Sequence, residues 1–98
     1  MKHLSAKEVQ QKLENGEQLN IIDVRETEEV AAGKIPSAVN IPLGLVEFRL
    51  QDLDKIKEYI LVCRSGGRSS KAAVFLESHG FDVTNMDGGM LAWEGKTE

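Results

Sequence analysis

The sequence predicts an α/β domain built on parallel strands, and three observations lead there. Apolar runs of strand length, Leu19 to Val24 and Tyr59 to Val62, and a last strand, Phe81 to Met86, alternate with stretches of helical periodicity. The Leu19 to Val24 run is apolar on both faces, which suits a parallel sheet covered by helices. Glycines stand where the helical stretches stop, at Gly16, Gly33 and Gly80.

Each element follows from local chemistry. Ser5-Ala6-Lys7-Glu8 has the spacing of a capping box, and Val9 and Leu13 then share a helical face that Gly16 ends after Asn15. The Leu19 to Val24 strand closes on Asp23 and Arg25. These two either touch a substrate or form an ion pair that locks the strand's end, and the second is the commoner arrangement. Glu26 to Ala32 reads as a short helix ended by Gly33, with Glu26, Glu28 and Glu29 at its positive end. No histidine or cysteine accompanies those carboxylates, so no metal site is expected. Ile35-Pro36 and Ile41-Pro42 bracket a short strand, Val39 to Ile41, because each proline holds its predecessor extended. Leu43 to Leu50 has helical spacing at Leu43, Val46 and Leu50, and Arg49 either nears a pocket rim or is solvated.

Beyond the Tyr59 to Val62 strand, Ser70 to His79 is predicted helical, with Ser69 or Ser70 as cap and Gly80 as stop. His79 then lies about 15 Å from the helix start and suits the negative end of the dipole rather than a base. His3 stands near a chain end with no metal partner. Phe81 to Met86 is the last strand, Gly88-Gly89 a tight turn, and Met90 to Trp93 a short helix carrying Trp93 as a core anchor.

Composition narrows the function. The 98 residues allow one domain, spanning 1–98, and 41% hydrophobic content supports one core. A net charge of −4 argues against non-specific nucleic-acid binding. No apolar run approaches membrane-spanning length, and Met1 to Glu8 contains no apolar signal core. A reducing cytoplasm and no membrane partner are therefore expected. One cysteine excludes an internal disulfide and a resolving partner within the chain. No cofactor is expected.

That cysteine ends the Tyr59 to Val62 strand and opens the loop Cys63-Arg64-Ser65-Gly66-Gly67-Arg68-Ser69. Strand, polar loop and helix N-terminus together make an anion site from backbone. Gly66 and Gly67 can adopt positive φ, so that successive N–H groups converge on the Cys63 sulfur. Those N–H groups, the helix dipole, Arg64 and Arg68 all favour a thiolate. Settings of this kind lower a cysteine pKa from about 8.5 to roughly 3.5–7.5, and a drop of two is worth ~2.7 kcal/mol. The alternative, a cysteine that is only a small core residue, leaves two arginines and two glycines in one short loop unexplained.

The loop Cys63 to Ser69 resembles the active-site loop of rhodaneses, the thiosulfate and persulfide sulfurtransferases. Ile21-Ile22-Asp23-Val24-Arg25-Glu26, Gly33 to Pro42, Gly80-Phe81-Asp82-Val83 and Asp87 to Trp93 resemble that family's other signatures, in its order. Lys34 and Ser37 depart from it, standing where many members carry His and Gly. The resemblance implies a three-layer α/β/α domain around a mainly parallel five-stranded sheet, with the loop at a strand's carboxyl end. It implies that Gly88 to Leu91 shape the pocket mouth. Phosphatases and arsenate reductases of this general shape resemble C-x5-R. Here four residues separate Cys63 from Arg68, and the shorter loop matches sulfurtransferases.

The implied chemistry is attack of the Cys63 thiolate on an anionic donor such as thiosulfate, followed by transfer from a Cys63 persulfide to cyanide, a thiol or a partner protein. Cys63 is then catalytic, and Arg64, Ser65, Gly66, Gly67, Arg68 and Ser69 bind the anion. A persulfide carrier serving a partner protein, with little thiosulfate turnover, would use the same cysteine. A redox sensor or a purely structural domain is less expected.

Overall fold

A computed structural model describes all residues, 1–98. Its strands are β1 (Lys2–Ser5), β2 (Ile21–Asp23), β3 (Val39–Asn40), β4 (Glu58–Val62) and β5 (Asp82–Asp87). They form one sheet in the order β1-β5-β4-β2-β3, and every pairing is parallel. The α-helices are α1 (Ala6–Glu14), α2 (Thr27–Ala31) and α3 (Gly67–Ser78).

Strand periodicity divides the core between the two sheet faces. Tyr59, Leu61 and Cys63 face one way, packing with Ala72, Ala73 and Leu76 of α3 and with Val46. Ile60 and Val62 face the other way, with Ala6 and Val9 of α1 and, beyond them, Met90 and Trp93. The expected α/β/α layering follows directly.

The capping box forms as expected: the Glu8 N–H donates to Ser5 Oγ at 3.1 Å, and the Ser5 N–H donates to Glu8 Oε1 at 2.9 Å. Several expectations need correction. The chain starts with a strand, β1, that its short polar sequence did not disclose. Main-chain pairing with β5 holds it at the sheet edge, and it runs straight into α1. Leu43–Phe48 and Leu50–Asp52 are 3₁₀ turns, not one α-helix, and Gly89–Ala92 is also 3₁₀. Arg49 pairs with Asp52 across these turns, the solvated alternative. Helix α3 begins earlier than expected, and its cap is neither serine. Gly66 caps it at φ +107°, while Gly67 is ordinary helix, so only one of the two loop glycines uses positive φ. Ser37, at a position where rhodaneses often have Gly, carries φ +68°, the only non-glycine residue with positive φ.

Candidate functional site

The parallel sheet brings four chain segments to one edge, at the carboxyl ends of β2, β3, β4 and β5, where open α/β sheets bind ligands. Cys63 follows β4 directly. Its position in the strand pleat buries its Cβ side among Ile22, Val24 and Leu61, and the residue is 1% exposed. Its sulfur nevertheless meets polar groups: the Gly66 N–H donates to Sγ at 3.0 Å. Burial alone would push this thiol up. Hydrogen bonds from the Ser69 hydroxyl and from the N–H groups of Ser69, Gly66 and Ser65 outweigh it and hold the thiol below its ordinary value.

The loop residues take distinct places. Arg64, Ser65 and Gly67 are exposed at its tip, and a side chain on Gly67 would meet open space. Ser69 is fully buried in the first turn of α3 and donates to the Gly66 carbonyl and to Asn85 Oδ1. Arg68 stands close enough for the sulfur's charge to act on it, but its guanidinium is engaged in a two-pronged bond to Glu29 of α2, at 2.6 and 2.8 Å. Arg64 is therefore the loop's exposed arginine with no ion pair, while Arg68 both biases the sulfur and ties the loop to α2.

The Arg68 bond and the Glu26 N–H together hold the Glu29 carboxyl down to about 2, from an ordinary 4.5. The pair's contribution to stability is therefore complete above pH 4.5 and is lost as the pH falls toward 2. In Arg68→Gln, the Glu29 carboxyl should rise from about 2 yet stay below 4.5, because the Glu26 N–H still donates to it, as read by carboxyl NMR, and the acid unfolding curve should lose part of its component below pH 4.5.

Asp23 and Arg25 are buried together, at 0% and 6% exposure. Arg25 Nε and Nη2 reach the two Asp23 oxygens at 3.0 and 2.8 Å, and Nη2 also donates to the Gly33 carbonyl. This is the locking arrangement; both side chains are consumed in it. Asn40 completes it by donating to the Asp23 and Arg25 carbonyls, each at 2.9 Å.

The Gly88-Gly89 turn clamps the cysteine loop from β5. The Met90 N–H donates to the Cys63 carbonyl and the Leu91 N–H to the Arg64 carbonyl, both at 2.9 Å. Gly89 has φ +58°, and a Cβ there would lie 2.5 Å from the Arg64 oxygen and 2.6 Å from the Cys63 oxygen. Gly89→Ala should therefore push the loop off the turn, costing about 2–3 kcal/mol of stability, measured by denaturant unfolding, and slowing alkylation of Cys63.

Sequence reasoning missed Glu29 and Asn85 as parts of this site. Glu29 read only as a helix-dipole residue. Asn85 was hidden in the last strand, one polar residue among Asp82, Thr84 and Asp87, so nothing local marked it as buried. His79 lies away from the site, stacked on Phe75 at 4.3 Å.

Comparison with known proteins agrees with this geometry. The family model described as "Rhodanese-like domain" matches residues 5–96. The chain is 47% identical over 98 residues to "Putative sulfurtransferase YtwF" of Bacillus subtilis (strain 168), covering all of this chain and 95% of that one. It is 45% identical over 96 residues to "Putative sulfur carrier protein YrkF" of the same organism, covering 97% of this chain but only 52% of that protein. Among solved structures, a rhodanese-like domain protein from Staphylococcus aureus superposes with a TM-score of 0.94 at 38% identity, covering 100% of this chain and 97% of that one.

Proposed function

We propose, because the chain belongs to the rhodanese-like domain family, that it moves sulfane sulfur through a persulfide on Cys63. The observation that supports this reading is the sole cysteine at a strand's carboxyl end, its sulfur accepting from the Gly66 N–H at 3.0 Å in the loop that opens α3. In the first step the Cys63 thiolate attacks the outer sulfur of thiosulfate. A bond forms between Sγ and that sulfur, the bond to the sulfonate sulfur breaks, and its electron pair leaves with sulfite. Charge balances, since a thiolate and a dianion become a persulfide anion and a dianion. In the second step a thiolate or cyanide attacks the outer sulfur, and the Cys63 thiolate leaves.

The chain's residues supply electrostatics for both steps. The loop N–H groups donate to whichever sulfur carries the charge, preorganised by the Gly66 cap and the Gly89 clamp. Arg64, exposed in the same loop, would supply the charge that meets the donor's sulfonate oxygens. The site would take a small anionic donor and hand sulfur to a thiol or to a protein that presents one.

A second reading, a sulfur carrier fed by a partner protein, is favoured by the name of the 45% identical relative and by the 1% exposure of Cys63. Intact mass separates the two. Incubation with thiosulfate should add about 32 Da, one sulfur, which a thiol reductant removes. An adduct formed from a protein persulfide but never from thiosulfate would select the carrier. An adduct from neither would overturn both.

A further inference from the structure

Arg68 lies two residues past Gly66, whose N–H meets the sulfur, and its guanidinium crosses from α3 to α2. Helix α2 follows β2, which pairs with β4 on the side away from β5, and the Val24 N–H donates to the Val62 carbonyl at 2.8 Å. The Arg68–Glu29 bridge therefore spans the carboxyl ends of β4 and β2, and Cys63 follows the first of them. Both terminal nitrogens of the guanidinium are engaged: Nη1 donates to Glu29 Oε1 at 2.6 Å and Nη2 to Oε2 at 2.8 Å. The bridge is open to an arriving solute, with 34% of the Arg68 side chain and 30% of the Glu29 side chain exposed. Glu29 is also fixed from its own side. The Glu26 N–H donates to Oε1 at 3.0 Å, and Arg25 Nη1 reaches the Glu29 carbonyl at 3.4 Å. Its carboxyl, held to about 2, stays ionised in any working buffer. Glu26 and Glu28, both exposed at the start of the same helix, add negative charge there. Of the two loop arginines, only Arg64 is left without an ion pair.

We propose that Glu29 is a positioning residue that sets the charge of the sulfur donor: by engaging both arms of Arg68 it leaves the loop one free guanidinium, which suits a singly charged sulfane donor, a persulfide or a thiosulfonate, better than the doubly charged thiosulfate. This assignment rests on the proposed transfer of sulfane sulfur through Cys63. A second free guanidinium would offer the oxygens of a dianion a matched two-pronged partner. A carboxylate seated on that guanidinium repels the dianion instead. Repulsion grows in proportion to the donor's charge, so it falls more heavily on thiosulfate than on a monoanion.

The test compares thiosulfate with methanethiosulfonate, in which a methyl group replaces one charged oxygen. Both react alike. The Cys63 thiolate bonds to the sulfane sulfur, the bond from that sulfur to its neighbour breaks, and the electron pair leaves with sulfite or with methanesulfinate. Thiocyanate formed with cyanide as acceptor is the readout, and kcat/KM for the donor reports the first step alone. Glu29→Gln removes the charge, and its amide oxygen can still accept from the Glu26 N–H. It should raise the ratio of kcat/KM for thiosulfate to that for methanethiosulfonate about threefold to tenfold. A change in thiol ionisation affects both donors equally and cancels in that ratio. In an Arg68→Gln background the same substitution should move the ratio by less than about twofold. The wild-type chain carries the test if the variant fails to fold: its kcat/KM for thiosulfate should fall by less than about threefold between roughly 20 and 200 mM salt, where a strongly cationic mouth would lose far more. An unchanged or lower ratio, an equal rise without Arg68, or a steep salt dependence in the wild type would overturn the proposal; the second would mean that Glu29 acts by its own charge alone. Sulfur taken from both donors at a ratio indifferent to Glu29 sinks only this inference, as does loading of Cys63 by a protein persulfide and by neither small donor. Cys63 loaded by none of the three sinks the function reading beneath it.

Discussion

Cys63→Ser should form no persulfide and lose sulfur transfer by at least about a thousandfold, down to the uncatalysed rate. A serine hydroxyl stays protonated at neutral pH and cannot form the sulfur–sulfur bond on which the proposed cycle depends. The fold should survive. The side chains differ little in volume, and the Gly66 N–H that now donates to sulfur at 3.0 Å would find an oxygen acceptor instead. Thermal unfolding within a few degrees of the wild type, together with no added mass after thiosulfate, would show that the loss is chemical. Thiocyanate formed by this variant at the wild-type rate would end the proposed mechanism.

Arg25→Leu is expected to lower stability by about 3–5 kcal/mol, the usual cost of leaving a buried charge without its partner. Asp23 is 0% exposed and accepts from Arg25 through both of its oxygens. Loss of the guanidinium also strips the Gly33 carbonyl of a 2.8 Å donor. Against a total of about 5–15 kcal/mol for a domain, this is a large fraction. At about 4–8 °C per kcal/mol for a chain of this size, the melting temperature should fall by at least about 12 °C. Replacing Asp23 and Arg25 together by leucine should cost less than the sum of the single changes, because neither charge is then stranded. Additive losses would show that the pair is not the lock that the geometry describes.

The features readable in advance were those in which neighbouring residues decide the outcome. The capping box at Ser5 and Glu8 is one; the stops at Gly16, Gly33 and Gly80 are others. The cysteine loop was legible because strand, glycines and helix start lie within about a dozen residues. Of the loop N–H groups, that of Gly66 meets the Cys63 sulfur, at 3.0 Å. The positive φ assigned to Gly67 was not read correctly, because a local pattern cannot tell which of two adjacent glycines takes the turn.

What was hidden depended on distant partners. Strand β1 has too few apolar residues to announce itself and becomes a strand only because β5, some eighty residues away, presents an open edge. The Leu43 to Leu50 stretch has helical spacing, yet it folds into 3₁₀ turns, with Leu43 and Leu50 packed against the core cluster that α3 shares. Arg68 looked like a free charge until α2 brought Glu29 to it. Ser69 looked like a cap until β5 placed Asn85 beside it.

By itself the sequence determined the alternation of elements, the sole cysteine at a strand's end and the glycine-bearing loop that follows it, because each is set by contacts within a few residues. Only the tertiary structure decided which charges are spent on each other and which stay unpaired. Pairing of that kind depends on side chains from strands far apart in sequence, and their proximity follows from the sheet order and from nothing local.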